Sequence, residues 1–372
     1  MGENRLKRIL IVENSSHFTG AFKSVLNLSR ALDGEFDFFF AVPKGCWQKV
    51  SDIRSNRIYT ANFLEVSKKI TVFWYLPRLL INTVRLSAFI RKNSIEVVHV
   101  SDLYNMVGVC LKLLNRDIKL IYHIRLLQSS YAKPLYRTWL SLILRFANGI
   151  ICVSNAVAKD IQKAGKTVVI YDAIPCSAIY SKPTLNNGSK LVKLLYVGNF
   201  IPGKGQDLAL IALSKALKTN PNLRLTFVGG DLGKKKNQLF LKSLIDTAKR
   251  RGLNKFVAFS GPSGNVAKKM LSSDIVLNFS ESESFSMVCL EALGCRVPLI
   301  ATMSGGPEEI IRHNVNGILV QNRNTDEMAS AINRLAMDKE LRTHFAMNSL
   351  IDFATKFKQE ELARRVKQVY LS

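Results

Sequence analysis

Short unbroken apolar runs, each followed by a stretch of helical periodicity, recur along this chain, and that alternation limits its fold more than any other feature. KRILIV (7–12), FDFFFAV (36–42), EVVHV (96–100), IKLIYH (118–123), GIICV (149–153) and TVVIY (167–171) read as strands apolar on both faces. Such strands belong in a parallel sheet covered on both sides, because a sheet face open to water alternates polar with apolar residues. Helices fit between them at Ala21–Leu32, Leu79–Lys92, Leu103–Leu114, Pro134–Ala147 and Asn155–Ala164. Parallel strands need crossover connections, so the pattern predicts a doubly wound α/β domain.

The pattern breaks at SKPTLNNGSK (181–190), which is polar, rich in turn formers and reads as a linker. It then resumes with KLLYV (193–197), LRLTFV (223–228), FVAF (256–259), IVLNF (275–279), PLIA (298–301) and ILV (318–320). Helices are expected at Asp207–Lys218, Asn237–Arg251, Val266–Leu271, Met287–Leu293 and Thr325–Met337. The expected organisation is a first domain over 1–180, the linker 181–190 and a second domain over 191–354. The segment from about 355 to 372 carries a last amphipathic helix near Gln359–Leu371, expected to pack back on the first domain. A chain of 372 residues has room for two cores. Two such sheets facing each other leave a cleft at the carboxyl ends of their strands, an arrangement that suits group transfer between two substrates.

Composition narrows the classes. Hydrophobic residues make up 47% of the chain, which excludes a disordered protein. The formal net charge is +25, from 53 Lys+Arg against 28 Asp+Glu, and favours an anionic partner: nucleic acid, an acidic lipid surface or a phosphorylated substrate. No helix-turn-helix, zinc-finger or RNP pattern supports nucleic acid. The cysteines, at 46, 110, 152, 176, 289 and 295, are scattered without a close pair, which argues against a metal centre and for a reduced, cytoplasmic setting. Ile9–Val12 is too short for a signal peptide, and Ile70–Ile90 is interrupted as a membrane span by Pro77, Arg78, Asn82 and Arg85.

Three stretches of the second half carry candidate chemistry. VGNFIPGKG (197–205) links a strand to a helix; its glycines permit close backbone approach, and Lys204 with the following helix N-terminus suits a diphosphate. The same stretch also reads as an ordinary β-α turn with a surface lysine. In SESESFSMVCLEALGCRVPLIA (280–301), Glu283 falls in a turn and Glu291 on a short helix, whose N-terminus at Phe285–Val288 offers backbone donors. In SGGPEEII (304–311), a glycine pair permits a sharp turn, and Glu308 or Glu309 suits the cap of a following helix.

These stretches resemble glycosyltransferase family 4, the "glycosyl transferases group 1" proteins. Glu283 and Glu291 stand at the spacing of that family's E-x(7)-E pattern. VGNFIPGKG resembles its V-G-R-x-x-x-x-K-G turn, and SGGPEEIIRHNVNGILV (304–320) its G-G-x-x-E-x-I and N-G-x-L-V segment. YDAI (171–174) and ICVSNAV (151–157) resemble strand-end elements of its first domain. The resemblance implies the GT-B fold, two Rossmann-like domains facing across a cleft. It implies retaining, metal-independent sugar transfer from a nucleotide diphosphate sugar, with no cofactor. Lys204 would bind the diphosphate, Glu291 the ribose, and Glu283 the donor sugar as a catalytic candidate. Gly20, Gly198, Asn199 and the backbone of Phe285, Ser286 and Met287 would also line the donor. Six positions depart from the pattern. Asn199 replaces an Arg, Ser284 and Ser286 replace glycines, Arg296 replaces a Gly, and Asp172–Ala173 replace Asn-Gly.

On the acceptor side, the turn ENSSHFTGAFKSV (13–25) places Gly20 where the family has the second glycine of a pair, with Thr19 in place of the first. VVHVSDLYN (97–105) resembles the family's D-V-V-H-x-H, with His99 at the first His and Ser101 at the second. His123 ends the next strand beside Arg125. His99 and His123 are candidates for sugar or acceptor contact, or core histidines. Lys68–Asn93 joins aromatics with Lys68, Lys69, Arg78, Arg85, Arg91 and Lys92, and reads either as a membrane-surface helix or as a core helix with a solvated basic face. The expected protein is a peripheral enzyme of the inner membrane face, acting on a glycan or lipid-linked acceptor in cell-surface polysaccharide synthesis. A GT-B epimerase or hydrolase and a basic nucleic-acid-binding protein are the alternatives.

Overall fold

The computed structural model describes residues 5–15, 20–44, 46, 54–63, 71–159, 161, 165–174 and 191–372. The polar segment 181–190, Thr19, Lys68, Lys69 and Cys176 lie outside them. The chain forms two compact units: Met1–Ala173 with Gln359–Ser372, and Ile174–Lys358.

The first unit runs β1 (Lys7–Val12), α1 (Gly20–Ala31), β2 (Phe36–Pro43), β3 (Ile58–Ala61), α2 (Thr71–Lys92), β4 (Val97–Ser101), α3 (Val107–Leu114), β5 (Lys119–Ile124), α4 (Lys133–Phe146), β6 (Gly149–Cys152), α5 (Asn155–Ala158) and β7 (Thr167–Val169). Its seven-stranded sheet is ordered β3-β2-β1-β4-β5-β6-β7. Every pairing is parallel. The runs apolar on both faces therefore become central strands, with Ile9, Ile11, Phe38, Phe40, Val97 and Ile121 in the core.

Three features of this unit depart from the expectation. β3 is a four-residue edge strand, IYTA, mostly half-exposed, and so never presents an unbroken apolar run. α2 begins at Thr71 and runs through Pro77, which is exposed, so its ring lies on the solvent side of the helix. α3 begins at Val107 because the preceding residues form a turn. There Asp102 takes φ +68, and its carboxylate accepts the N–H of Leu103 (2.9 Å).

The second unit runs β8 (Val192–Val197), α6 (Gln206–Ala216), β9 (Leu223–Val228), α7 (Lys235–Arg250), β10 (Val257–Ser260), α8 (Val266–Leu271), β11 (Ile275–Asn278), α9 (Met287–Gly294), β12 (Leu299–Thr302), α10 (Pro307–Ile310), β13 (Gly317–Val320), α11 (Thr325–Met337) and α12 (Lys339–Lys356). Its six-stranded parallel sheet is ordered β10-β9-β8-β11-β12-β13. Leucines of β8 and β9, alanines of α6 and the stacked rings of Phe227 and Phe259 (5.1 Å) fill its core.

No helix is expected from the sequence at α12, because polar residues interrupt its inner face. Arg342 is buried there and donates to the carbonyls of Leu335 and Ala336, capping the end of α11. Asp352 is buried and holds Arg312 (2.9 Å) and the amide of Asn316 (2.8 Å).

α13 (Gln359–Leu371) belongs to the first unit. Its Leu362, Ala363, Val366 and Tyr370 join that core, with the Tyr370 ring edge-on to Phe36 at 5.4 Å.

Candidate functional site

In both sheets the strand order reverses beside the first strand: between β1 and β4, and between β8 and β11. Loops leaving the two strands there diverge to opposite faces, and ligands of open parallel sheets bind in the crevice that this leaves.

At the second unit's reversal, two loops are fastened together. Tyr196 on β8 is buried; its hydroxyl donates to the Lys204 carbonyl (2.5 Å) and accepts the Phe279 N–H at the end of β11 (2.7 Å). Burial holds this phenol well above its ordinary pKa, so it stays a donor. Gly205 lies at φ +74, and a Cβ there would fall 1.9 Å from the Phe279 carbonyl oxygen. Only glycine lets the loop press against β11 this closely.

That approach brings Lys204 to Glu283. The Lys204 ammonium lies 2.7 Å from Glu283 Oε1, and the Ser280 hydroxyl donates to the same oxygen at 2.8 Å. The Glu283 backbone is held as well: its N–H donates to Ser304 O (2.9 Å) and its carbonyl accepts from Gly306 N (2.8 Å). A Cβ on Gly306 would sit 2.2 Å from the Phe285 Cα, so the glycine pair serves this loop contact. Of the two glutamates after it, Glu308 caps the turn by accepting the Gly305 N–H (2.5 Å).

Phe285 is buried and Ser286 caps α9. The Ser286 hydroxyl accepts from Cys289 N (3.4 Å) and from the Asn278 amide (2.8 Å). The first-turn N–H groups at Met287 and Val288 have no acceptor within the helix, and the helix dipole makes this end positive. Glu291 lies one turn further along, half-buried. Gly198 follows β8, and Asn199 is exposed beside it, its carbonyl accepting from the buried Gln206 amide (3.0 Å). Two of the departures from the family pattern share a conformation: Ser286 at φ +77 and Arg296 at φ +56 both occupy the left-handed region that favours glycine. The backbone thus keeps the glycine-type turn without the glycine.

The first unit holds the remaining candidates. Gly20 is exposed at the first residue of α1. His99 and His123 have no exposed surface and lie in one buried chain of hydrogen bonds. The Tyr370 hydroxyl meets His99 Nδ1 (2.6 Å), His99 Nε2 meets His123 Nδ1 (3.3 Å), and Arg125 meets the same Nδ1 (3.3 Å). Arg125 then grips both oxygens of Asp172 (2.7 and 2.6 Å), and Ser24 donates to that carboxylate. Burial first and the Arg125 charge second lower His99 to about 3, and His123 falls well below its usual value for the same reasons. Both rings are neutral at pH 7. Because Arg125 can only donate, His123 Nδ1 accepts and Nε2 carries the proton. The chain links α13, β4, β5, the segment after β7 and α1, which positions backbone at the sheet's carboxyl edge. Asp172, a departure from the family's Asn, is the partner of Arg125.

The structure therefore brings Lys204, Glu283, Ser280 and the α9 N-terminus together. Sequence reasoning missed Tyr196, whose position inside an apolar run gave no sign of its hydroxyl's role. It also missed Thr302, which donates to the Ser280 carbonyl (2.5 Å). Among the described residues, no three His, Cys, Asp or Glu side chains gather as a metal site.

Comparison with known proteins agrees with this geometry. Residues 181–350 match the model for glycosyl transferases group 1, and residues 18–178 match that for glycosyltransferase family 4. An uncharacterized glycosyltransferase of Methanocaldococcus jannaschii is 29% identical over 59% of this chain and 58% of its own length. The D-inositol 3-phosphate glycosyltransferase of Saccharomonospora viridis is 30% identical over 53% of this chain and 46% of its own. The match thus spans about half the length of these curated relatives. Among solved structures, HepE of Anabaena in complex with UDP and glucose superposes with a TM-score of 0.82 at 20% identity, covering 99% of this chain and 100% of that one. With both halves matched and both sheets in the GT-B order, the chain belongs to glycosyltransferase family 4.

Proposed function

We propose that the protein transfers a sugar from a nucleoside diphosphate sugar to a glycan or lipid-linked acceptor, with retention and without a metal ion. The proposed setting is the anionic inner face of a membrane, in cell-surface polysaccharide synthesis. The observation that carries this reading is the Lys204–Glu283 pair, set between the ends of β8 and β11 and next to the positive end of α9. When a glycosidic bond to a diphosphate breaks, negative charge grows on the leaving oxygens. Fixed donors aimed at that charge lower the barrier more than they favour the ground state. Lys204 and the first-turn N–H groups of α9 are such donors. Glu283 accepts donor-sugar hydroxyls, and Glu291 accepts the ribose hydroxyls. HepE, one of the structural neighbours, holds UDP and glucose, which puts UDP-glucose first among donors to try.

The membrane part of the reading rests on α2. Trp74, Leu76, Leu80, Ile81 and Val84 are each at least half exposed, an apolar surface flanked by Arg78, Arg85, Arg91 and Lys92. Such a face favours the boundary between headgroups and acyl chains, with the cations toward acidic lipid. Among the described residues no helix is long and apolar enough to cross a membrane.

A thermal-shift screen of UDP-, GDP- and ADP-sugars tests the donor site, since a ligand bound to the native state raises stability. Stabilisation by one donor class, and loss of transfer in Lys204→Ala and Glu291→Ala, are expected. Full transfer in both variants overturns the site. Sedimentation with phosphatidylglycerol and phosphatidylcholine vesicles tests the surface: equal binding to both, or no loss in Trp74→Ala with Arg85→Glu, removes the membrane part.

A further inference from the structure

β11 ends on a polar side chain that packing alone does not require. Ile275 and Leu277 belong to the core of the second unit, while Val276 and Asn278 lie on the opposite face of the strand, where α9 packs. Asn278 is 4% exposed. An apolar side chain in such a place leaves no polar atom to satisfy, whereas a buried amide costs stability unless both its ends are bonded. Both ends are bonded here, and the bonds run to the donor-site loops.

Each end of the amide holds a different part of the site. Asn278 Oδ1 accepts the Ser280 N–H (3.2 Å). That donor fixes which end is the oxygen, leaving Nδ2 to donate to Ser286 Oγ (2.8 Å), with Cys289 Sγ at 3.5 Å. Ser280 is held on its other side too, because its carbonyl accepts from Thr302 (2.5 Å). With its backbone fixed at both ends, Ser280 aims its hydroxyl at Glu283 Oε1 (2.8 Å), the oxygen that also meets Lys204 (2.7 Å). Ser286 is buried and caps α9, so the bond from Asn278 fastens the end of that helix where the first-turn N–H groups stand.

We infer that Asn278 is a positioning residue that fixes the Glu283 carboxylate and the α9 N-terminus relative to each other. This deepens the proposed transfer reaction and rests on it: Glu283 takes the sugar end of the donor, and the α9 N–H groups take the diphosphate end. The spacing of the two has to match the donor, and one planar amide bonded at both ends leaves little freedom in that spacing. A ligand that spans both ends gains from such preorganisation, and a ligand that touches only the diphosphate end gains little. Asn278 therefore governs how far a nucleotide sugar is preferred over the bare nucleotide. A residue that only supported the fold would act on both ligands alike.

The test titrates the full chain calorimetrically with the nucleotide sugar selected from UDP-, GDP- and ADP-sugars, and with the matching nucleoside diphosphate. Asn278→Leu should lower affinity for the nucleotide sugar by about fivefold or more, and for the diphosphate by less than about twofold. Ser280→Ala cuts the route from Asn278 to the Glu283 carboxylate and should show the same selective loss. Adding Asn278→Leu to it should then cost less than in the native chain, because the two residues act in series. Melting without ligand identifies a variant that has not folded; Asn278→Ala replaces the leucine variant in that case, with the same selective loss expected. Equal losses for the two ligands, or native affinity for the nucleotide sugar, overturn the positioning role. A full-sized loss on top of Ser280→Ala overturns the route through Ser280. A native chain that binds none of the nucleotide sugars fails the transfer reading instead.

Discussion

Replacing Glu283 by glutamine should tighten the binding of a bare nucleoside diphosphate while lowering sugar transfer. The reasoning starts from competition for one ammonium. Lys204 sits 2.7 Å from Glu283, with 37% of its side chain and 14% of the glutamate's exposed. A pair this open to solvent is worth about 0.2–1 kcal/mol, which a diphosphate must overcome to draw Lys204 to itself. The glutamine still accepts the Ser280 hydroxyl but carries no charge, so diphosphate affinity should rise by roughly 1.4- to 5-fold. Lys204→Met removes a hydrogen bond between two charges, worth about 1.5–3 kcal/mol, and should weaken the diphosphate about 10- to 150-fold. In the double variant the gain from Glu283→Gln should vanish, because the lysine whose release produced it is gone. Calorimetric titration at fixed ionic strength measures all four proteins. Weaker diphosphate binding by Glu283→Gln, or native affinity in Lys204→Met, would refute the assignment of Lys204 to the diphosphate.

Two further outcomes follow from local geometry. Ser286→Ala should destabilise the second unit by about 1 kcal/mol, since it removes the α9 cap and leaves the Asn278 amide only its weaker contact with Cys289 Sγ (3.5 Å). Ser286→Gly loses the same bonds but relieves φ +77, so its melting temperature should exceed that of the alanine variant; the reverse order would show that strain there is negligible. His99, lowered to about 3, stays neutral in the native state while the unfolded chain takes up its proton below about 6.5. Its contribution to stability is thus complete above pH 6.5 and shrinks as pH falls toward 3. Asp102, raised to about 6 by burial, works the other way between about pH 6 and 4, because the native state binds a proton that the unfolded chain lacks. His99→Gln should therefore flatten the acid-side loss of melting temperature between pH 6.5 and 4, and an unchanged pH profile would show that the ring titrates normally.

Much of the fold was legible because a parallel strand buried on both faces leaves an unmistakable apolar run. KRILIV, LRLTFV and IVLN became β1, β9 and β11 with little change. β3 was invisible because an edge strand buries less, and α12 because Arg342 and Asp352 interrupt its inner face with charges that serve other elements. At the site, glycines and charges at fixed spacing pointed to Lys204 and Glu283, residues 79 positions apart that the fold joins. Tyr196 left no such trace. A tyrosine in an apolar strand reads as core, and only the folded chain shows its hydroxyl fastening two loops.

The two strand reversals solve opposite problems, and this explains why one was easier to read. At β8 and β11 the site is made of backbone approaches and a partly exposed ion pair. These need glycine at 205 and 306, and a charge at 204 and 283. The requirement falls on residue type, so the sequence displays it. At β1 and β4 the polar groups are buried, and only folding decides which of their atoms find partners. No residue type announces that. Ser286 and Arg296 lie between these cases. The turn requires a left-handed conformation, glycine is only the cheapest residue to adopt it, and serine offsets part of the strain by supplying a helix cap. A departure from a family pattern is therefore weak evidence against a site until the backbone at that position is known.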